Sequence, residues 1–259
     1  MPTSFWQWVV YFVENYGSRF LEGAGMTLLI ALTGTVIGFM IGLLVGVVRT
    51  MPLPRQAKLL HRLLRKLLSF ALSAYIEVFR STPMMVQAMV IYYGLAQLAN
   101  IHLELLTAGI AIVSINTGAY MAEIVRGGID SVDKGQREAA HSVGMTHMQT
   151  MLHVVLPQAV RNILPAIGNE FVVNIKDTSV LNVISVSELF FMSKSVAGTF
   201  YRFYEVFFIT CVIYFLLTFT ITRLLRLLER KLDGPGSYRI MGSQSSFEAE
   251  IHVQGEGRL

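Results

Sequence analysis

Residues Met26 to Val48 contain no charged side chain, and a helix of that length covers roughly 30 Å of hydrocarbon. A run of this kind restricts the chain to structures whose backbone polar groups are satisfied internally, since lipid supplies no partners. Within it Gly34, Gly38, Gly42 and Gly46 recur every four residues, so all four lie near one helix face where another backbone can approach closely. Two readings follow: tight packing inside the subunit, or pairing of subunits through this face. Composition agrees with lipid as the solvent. Charged residues make up 15% of the chain and mean hydropathy is +0.54, against roughly 25% charged residues in soluble domains.

Four further apolar stretches lie at about 67–98, 105–123, 163–189 and 204–222. The second is interrupted by Glu77-Val78-Phe79-Arg80-Ser81-Thr82-Pro83, so it forms either two short spans or one broken span. Basic residues decide between them. Arg49, Arg55, Lys58, Arg62, Arg65 and Lys66 follow the first span, and Arg223, Arg226, Arg230 and Lys231 follow the last. Both clusters belong on the cytoplasmic side, which requires an odd number of crossings between outside and inside. The expected fold is an all-α membrane protein of five spans, N-terminus outside and C-terminus cytoplasmic. Residues 1–22, with Trp6, Trp8 and Tyr11, predict an interfacial helix ahead of a transmembrane domain over 23–230. Residues 231–259 turn polar and predict a cytoplasmic tail. The net charge of +4 is explained by these loops, so nucleic acid is not an expected partner. The single Cys211 excludes an intrachain disulfide.

The polar loop at about 130–157 is more than a connector. Lys134 to Ala140 are mostly good helix formers, Gly144 is a natural terminator, and Thr146 can cap a second helix. Met148, Met151, Leu152 and Val155 then fall at helical spacing and predict one apolar stripe. His141, His147 and His153 are spaced by six, which separates their rings around a helix and speaks against a metal pair. No Gly-Lys dipeptide occurs, so a Walker phosphate loop is absent from the sequence. No nucleophile–base pattern of a hydrolase is seen either. Ionisable and polar groups inside spans are default functional candidates. Asn116, Tyr120 and Glu123 share one face of the third span, and the second and fourth spans are interrupted at Arg80–Thr82 and at Lys176, Thr178 and Ser179. These residues are the candidate substrate path. Arg80 or a freed helix end is expected near a substrate carboxylate and Glu123 near its amine. Structural pairing, Glu77 with Arg80 and Glu123 with Arg126, is the competing role.

Glu138-Ala139-Ala140, Gly144 and Val154-x-Leu156-Pro157 resemble, in sequence and spacing, the loop by which membrane subunits of ABC importers dock on their ATPases. Val154 stands where isoleucine is more usual. The stretches at 77–83, 116–129, 156–159 and 176–180 are similar to permeases of the polar amino-acid group, those for histidine, glutamine, glutamate and arginine. Ser81 stands where that group more often has glycine. The resemblance runs from about Gly23 to Arg230. It implies a non-catalytic permease subunit in a bacterial cell membrane, working by alternating access and coupled through Glu138, Ala139, Ala140, Gly144, Leu156 and Pro157. It implies an identical or homologous permease partner, ABC ATPase subunits that bind the ATP and Mg, and a separate extracellular substrate-binding protein. The chain itself needs no cofactor. The implied cargo is glutamine or a related amino acid, with an opine or cystine as the alternative and a passive channel as the more distant one.

Overall fold

A computed structural model describes residues 2–50, 59–232, 239–240 and 251–252. The molecule is helical: α1 (Phe5–Thr50), α2 (Leu59–Ser81), α3 (Met84–Ala99), α4 (Leu105–Ser131), α5 (Lys134–Ser142), α6 (His147–Thr150), α7 (Leu156–Asp177), α8 (Leu189–Phe200) and α9 (Phe203–Leu232). A π turn over Met151–Val155 joins α6 to α7, and a 3-10 segment, Thr178–Ile184, follows α7. Outside the helices, Arg239–Ile240 pairs antiparallel with Ile251–His252. The expected tail lies largely outside the described residues, as do Arg55 and Lys58 of the first basic loop.

Among the described residues, three helices are long and apolar enough to cross a membrane: α1, α4 and α9. A fourth candidate is the α6–α7 rod with its 3-10 extension, taken with α8, which bends away by 54°. The second apolar stretch is divided between α2 and α3. α2 starts ahead of that stretch, with Leu59-Leu60-His61-Arg62, and carries Arg65 and Lys66, too much charge for a uniform span. The second half of the stretch is apolar but only 16 residues long.

The N-terminus departs from expectation. No helix boundary separates residues 1–22 from the first span; α1 runs unbroken for 46 residues, about 69 Å at helical rise. The reason is tertiary. Trp8, Phe12 and Phe20 are buried against Leu189, Val196, Ala197, Val206 and Ile209 of α8 and α9, so the N-terminal turns have a protein surface to cover rather than only a bilayer interface.

The glycine repeat packs inside the subunit. Gly34, Gly38, Gly42 and Gly46 of α1 face Val113, Thr117, Met121 and Val125 of α4, the same four-residue period on both helices. A Cβ at Gly38 would sit 2.7 Å from Thr117 Cβ, and one at Gly46 2.8 Å from Val125 Cγ1, both well inside van der Waals contact. The face offered as a subunit-pairing surface is therefore covered by α4. The outward faces of α1 and α9 stay apolar, with Leu32, Val36, Met40, Leu44, Phe215 and Leu216 exposed, as expected where hydrocarbon is the solvent.

Candidate functional site

The loop after α4 is a rigid pair of short helices built by local chemistry. Asp133 caps α5 by accepting from Gly135 N–H at 2.8 Å. At the other end Gly144 adopts φ +84°. Its N–H donates to His141 O at 3.0 Å, and the Met145 N–H donates to Ala140 O at 3.1 Å. This is a Schellman closure, which needs a residue without Cβ strain at the left-handed position. Thr146 then opens α6 with a reciprocal capping box. The Gln149 N–H donates to Thr146 Oγ1 at 3.3 Å, and the Thr146 N–H donates to Gln149 Oε1 at 2.9 Å. The loop is tied to its base by the Arg137 Nη2 donation to Ile129 O and by Asn162 Nδ2 donating to Ser131 Oγ at 3.1 Å.

Glu138 and Ala139 are exposed, while Ala140 is buried under the turn. The expected single stripe is split. Met151 and Val155 are buried against Val125, Ile129, Val132, Ala159 and Ile163. Met148 and Leu152 remain exposed near Val143, which is 79% exposed at the tip. The π turn is the cause: one extra residue per turn rotates the following side chains relative to a 3.6 period. Leu156 and Pro157 open α7 directly after it.

The break between α2 and α3 has a donor supplied from elsewhere. Phe79 O would receive the N–H of residue 83 in a continuous helix, but Pro83 has none. Gln87 Nε2 lies 3.0 Å from Phe79 O, 2.9 Å from Thr82 O and 2.8 Å from Thr82 Oγ1. The Gln87 carbonyl oxygen accepts from Asn116 Nδ2 at 2.8 Å. Gln87 is not among the sequence-derived candidates; the signal was a glutamine one turn past a proline in a largely apolar helix.

Asn116, Tyr120 and Glu123 do share a face of α4, each with its own partner. Asn116 is held by Gln87. The Arg80 guanidinium lies over the Tyr120 ring, 5.6 Å from its centroid. Glu123 accepts from Arg49 Nη1 at 2.6 Å and from Arg126 Nε at 2.9 Å, joining the end of α1 to α4. The ion pairs of the described residues include Glu123–Arg126 but not Glu77–Arg80. In the interruption of the fourth span Thr178 is fully buried and donates to Ile175 O at 3.0 Å, Lys176 is exposed and Ser179 half-buried. Asn174 just before them bridges three helices, donating to Thr35 Oγ1 at 2.8 Å and Thr117 Oγ1 at 3.0 Å.

Residues 57–234 match the family described as the binding-protein-dependent transport system inner membrane component. The chain belongs to that family. It is 37% identical over 213 residues to the glutamine transport system permease protein GlnP of Escherichia coli K12, covering 82% of this chain and 92% of that one. It is 35% identical over 249 residues to the nopaline transport system permease protein NocM of Agrobacterium fabrum, covering 93% and 98%. A crystal structure described as an amino acid ABC transporter with histidines superposes with a TM-score of 0.76 at 38% identity, covering 89% of this chain and all of that one. The transport-system family and the apolar spans place this chain in a membrane.

Proposed function

We propose that this chain is the translocation subunit of an ATP-driven importer for a polar amino acid, glutamine or a close relative. The observation that carries the reading is the loop. Two capped helices locked by the Gly144 closure present Val143, Met148 and Leu152 outward from a base fixed to α4 and α7. Such a knob can pass a rigid-body motion of a partner ATPase into the spans, whereas a passive pore has no use for one. Glu138 and Ala139 lie on its exposed side, and Leu156-Pro157 anchor its return into the bundle.

The broken second stretch and the α4 face line the path in this reading, with Arg80 near the substrate carboxylate. Thr82 and Asn116 act through Gln87 by holding the break open. An amine at Glu123 would have to displace one of two guanidinium partners, so we assign Glu123 to joining α1 and α4. Lys176 and Ser179 remain path candidates and Thr178 supports their turn. α2 and α3 together make one broken crossing, giving five spans with the loop and C-terminus cytoplasmic. A homologous or identical permease, ATPase subunits carrying ATP and Mg, and a separate binding protein complete the machine. Nopaline transport by a relative keeps an opine as the second cargo.

The test is reconstitution with the ATPase and binding protein in vesicles loaded with ATP or with a non-hydrolysable analogue. Accumulation of labelled glutamine against its gradient only with ATP is expected, and a cysteine label at Gln136 should react only from the ATP side. Equal, gradient-limited flux in both vesicle types would favour a channel, and labelling of Gln136 from the opposite side would overturn the topology.

A further inference from the structure

The first three turns of α2 belong to none of the packed clusters. Among the described residues, those clusters draw on this helix only through Leu72, Tyr75 and Ile76. Ahead of them Leu59, Leu60, Leu63, Leu64, Leu67 and Leu68 are between 45% and 84% exposed. At helical period these leucines fill an arc of roughly 180°, and His61, Arg62, Arg65, Lys66 and Ser69 fill the rest with no residue out of place.

Packing further along the helix fixes how this segment is turned. Leu72, Tyr75 and Ile76 pack against Val45 of α1 and Ala122 of α4, and on that same side Arg65 Nη2 donates to Val48 O at 2.7 Å. Leu59, Leu63, Leu67 and Phe70 therefore point roughly 180° away from the bundle. Arg62 and Lys66, one turn apart and both exposed, run along one border of this outward face. The charge is of a single sign: six basic residues and no acidic one lie from Arg49 to Ile76. Leucines bordered by arginine and lysine suit a medium that is hydrocarbon on one side and anionic on the other, with the long basic stems lying across the boundary. A protein cover would need acids placed to match that border, whereas an anionic bilayer presents them at every point of its surface.

We propose that residues 59–70 are seated in the headgroup layer of the bilayer, with the leucines in the acyl chains and with Arg62 and Lys66 holding the phosphates of anionic phospholipids. The segment is then a lipid-binding site as well as the entry to the second span. This goes beyond the importer reading and is independent of the cargo and of the ATPase.

The test uses the full-length permease, alone and with its ATPase, in vesicles with brominated acyl chains on either phosphatidylglycerol or phosphatidylcholine at equal mole fraction. Phe70→Trp places a reporter on the outward face, read against the protein with Phe70, whose only tryptophans are Trp6 and Trp8. Brominated phosphatidylglycerol should quench the reporter more strongly, reflecting a local preference of about fivefold for each basic residue at the surface. Arg62→Gln with Lys66→Gln should remove most of that preference, and Arg62→Lys with Lys66→Arg should keep it. In the reporter protein with both cations intact, about 1 M chloride should also suppress it by screening. Equal quenching by the two lipids, or a preference indifferent to the Gln variants or to salt, would overturn the proposal. Shielding from both lipids would assign the face to protein instead: to a second copy of this chain if the permease alone shows it, to the ATPase if it follows assembly. Loss of the preference in inorganic phosphate, at an ionic strength where chloride has no effect, would assign the two cations to a free oxyanion and also overturn it.

Discussion

Gln87 shows how one side chain can replace what a proline removes. Without it Thr82 O would lose this donor and half-buried Phe79 O would keep only Asn116 Nδ2 at 3.4 Å, a cost of about 1 kcal/mol. The expected consequence is functional, because the break it stabilises sets where Arg80 lies over Tyr120. Gln87→Leu should raise the apparent KM of uptake about tenfold at matched protein levels. Gln87→Glu should do the same, since a carboxylate still accepts from Asn116 but cannot donate to Phe79. Wild-type KM in either variant would show that the break holds its shape without Gln87. The alignment of Asn116, Tyr120 and Glu123 on one face was legible in the sequence, because period alone decides it. Arg126 as a partner of Glu123 was legible too, at i, i+3; the other partners were not, since Gln87, Arg80 and Arg49 come from three other helices, and spacing along one helix carries no information about what crosses it.

At the scale of elements, the legible features are those settled within a turn or two. The Gly144 closure, the Thr146 cap and the break at Pro83 all depend on neighbours in sequence. The continuation of α1 through residue 22 depends on α8 and α9, and the split of the loop's apolar stripe depends on a π turn that no residue type announces. The glycine face was visible but not its partner, since close approach suits either an intrachain or an interchain helix. With α4 now seen in that groove, two glycines of α1 should respond oppositely to alanine. Gly42→Ala places a Cβ against Met121 Cβ and 2.7 Å from Ala122 N, where backbone must move, so a loss of about 1–3 kcal/mol and a lower Tm in detergent are expected. Gly25→Ala meets nothing within 4 Å and should raise Tm, by the helix preference of alanine over glycine, about 1 kcal/mol. A Tm change of the same sign in both would mean that α1 and α4 do not pack this closely in the membrane.

Over the whole molecule, the division of labour follows solvent. The α1–α4 pair forms a closely packed centre, the outer faces are apolar, and polar side chains inside are spent on one another, as with Asn174, Thr35 and Thr117. The part that projects from this bundle in an ordered, capped form is the loop over α5 and α6. If that loop couples ATP hydrolysis to movement of the path, its turn must be stiff, and Gly144 is where stiffness can be removed without touching packing, since a Cβ there meets nothing within 4 Å. A β-branched residue at φ +84° must leave the left-handed region, whereas asparagine tolerates it. The decisive measurement is glutamine transported per ATP hydrolysed in vesicles carrying wild type, Gly144→Asn and Gly144→Val at equal abundance. The account predicts wild-type coupling for Gly144→Asn and collapse of both substrate-stimulated hydrolysis and uptake for Gly144→Val. Wild-type transport per ATP in Gly144→Val would contradict it.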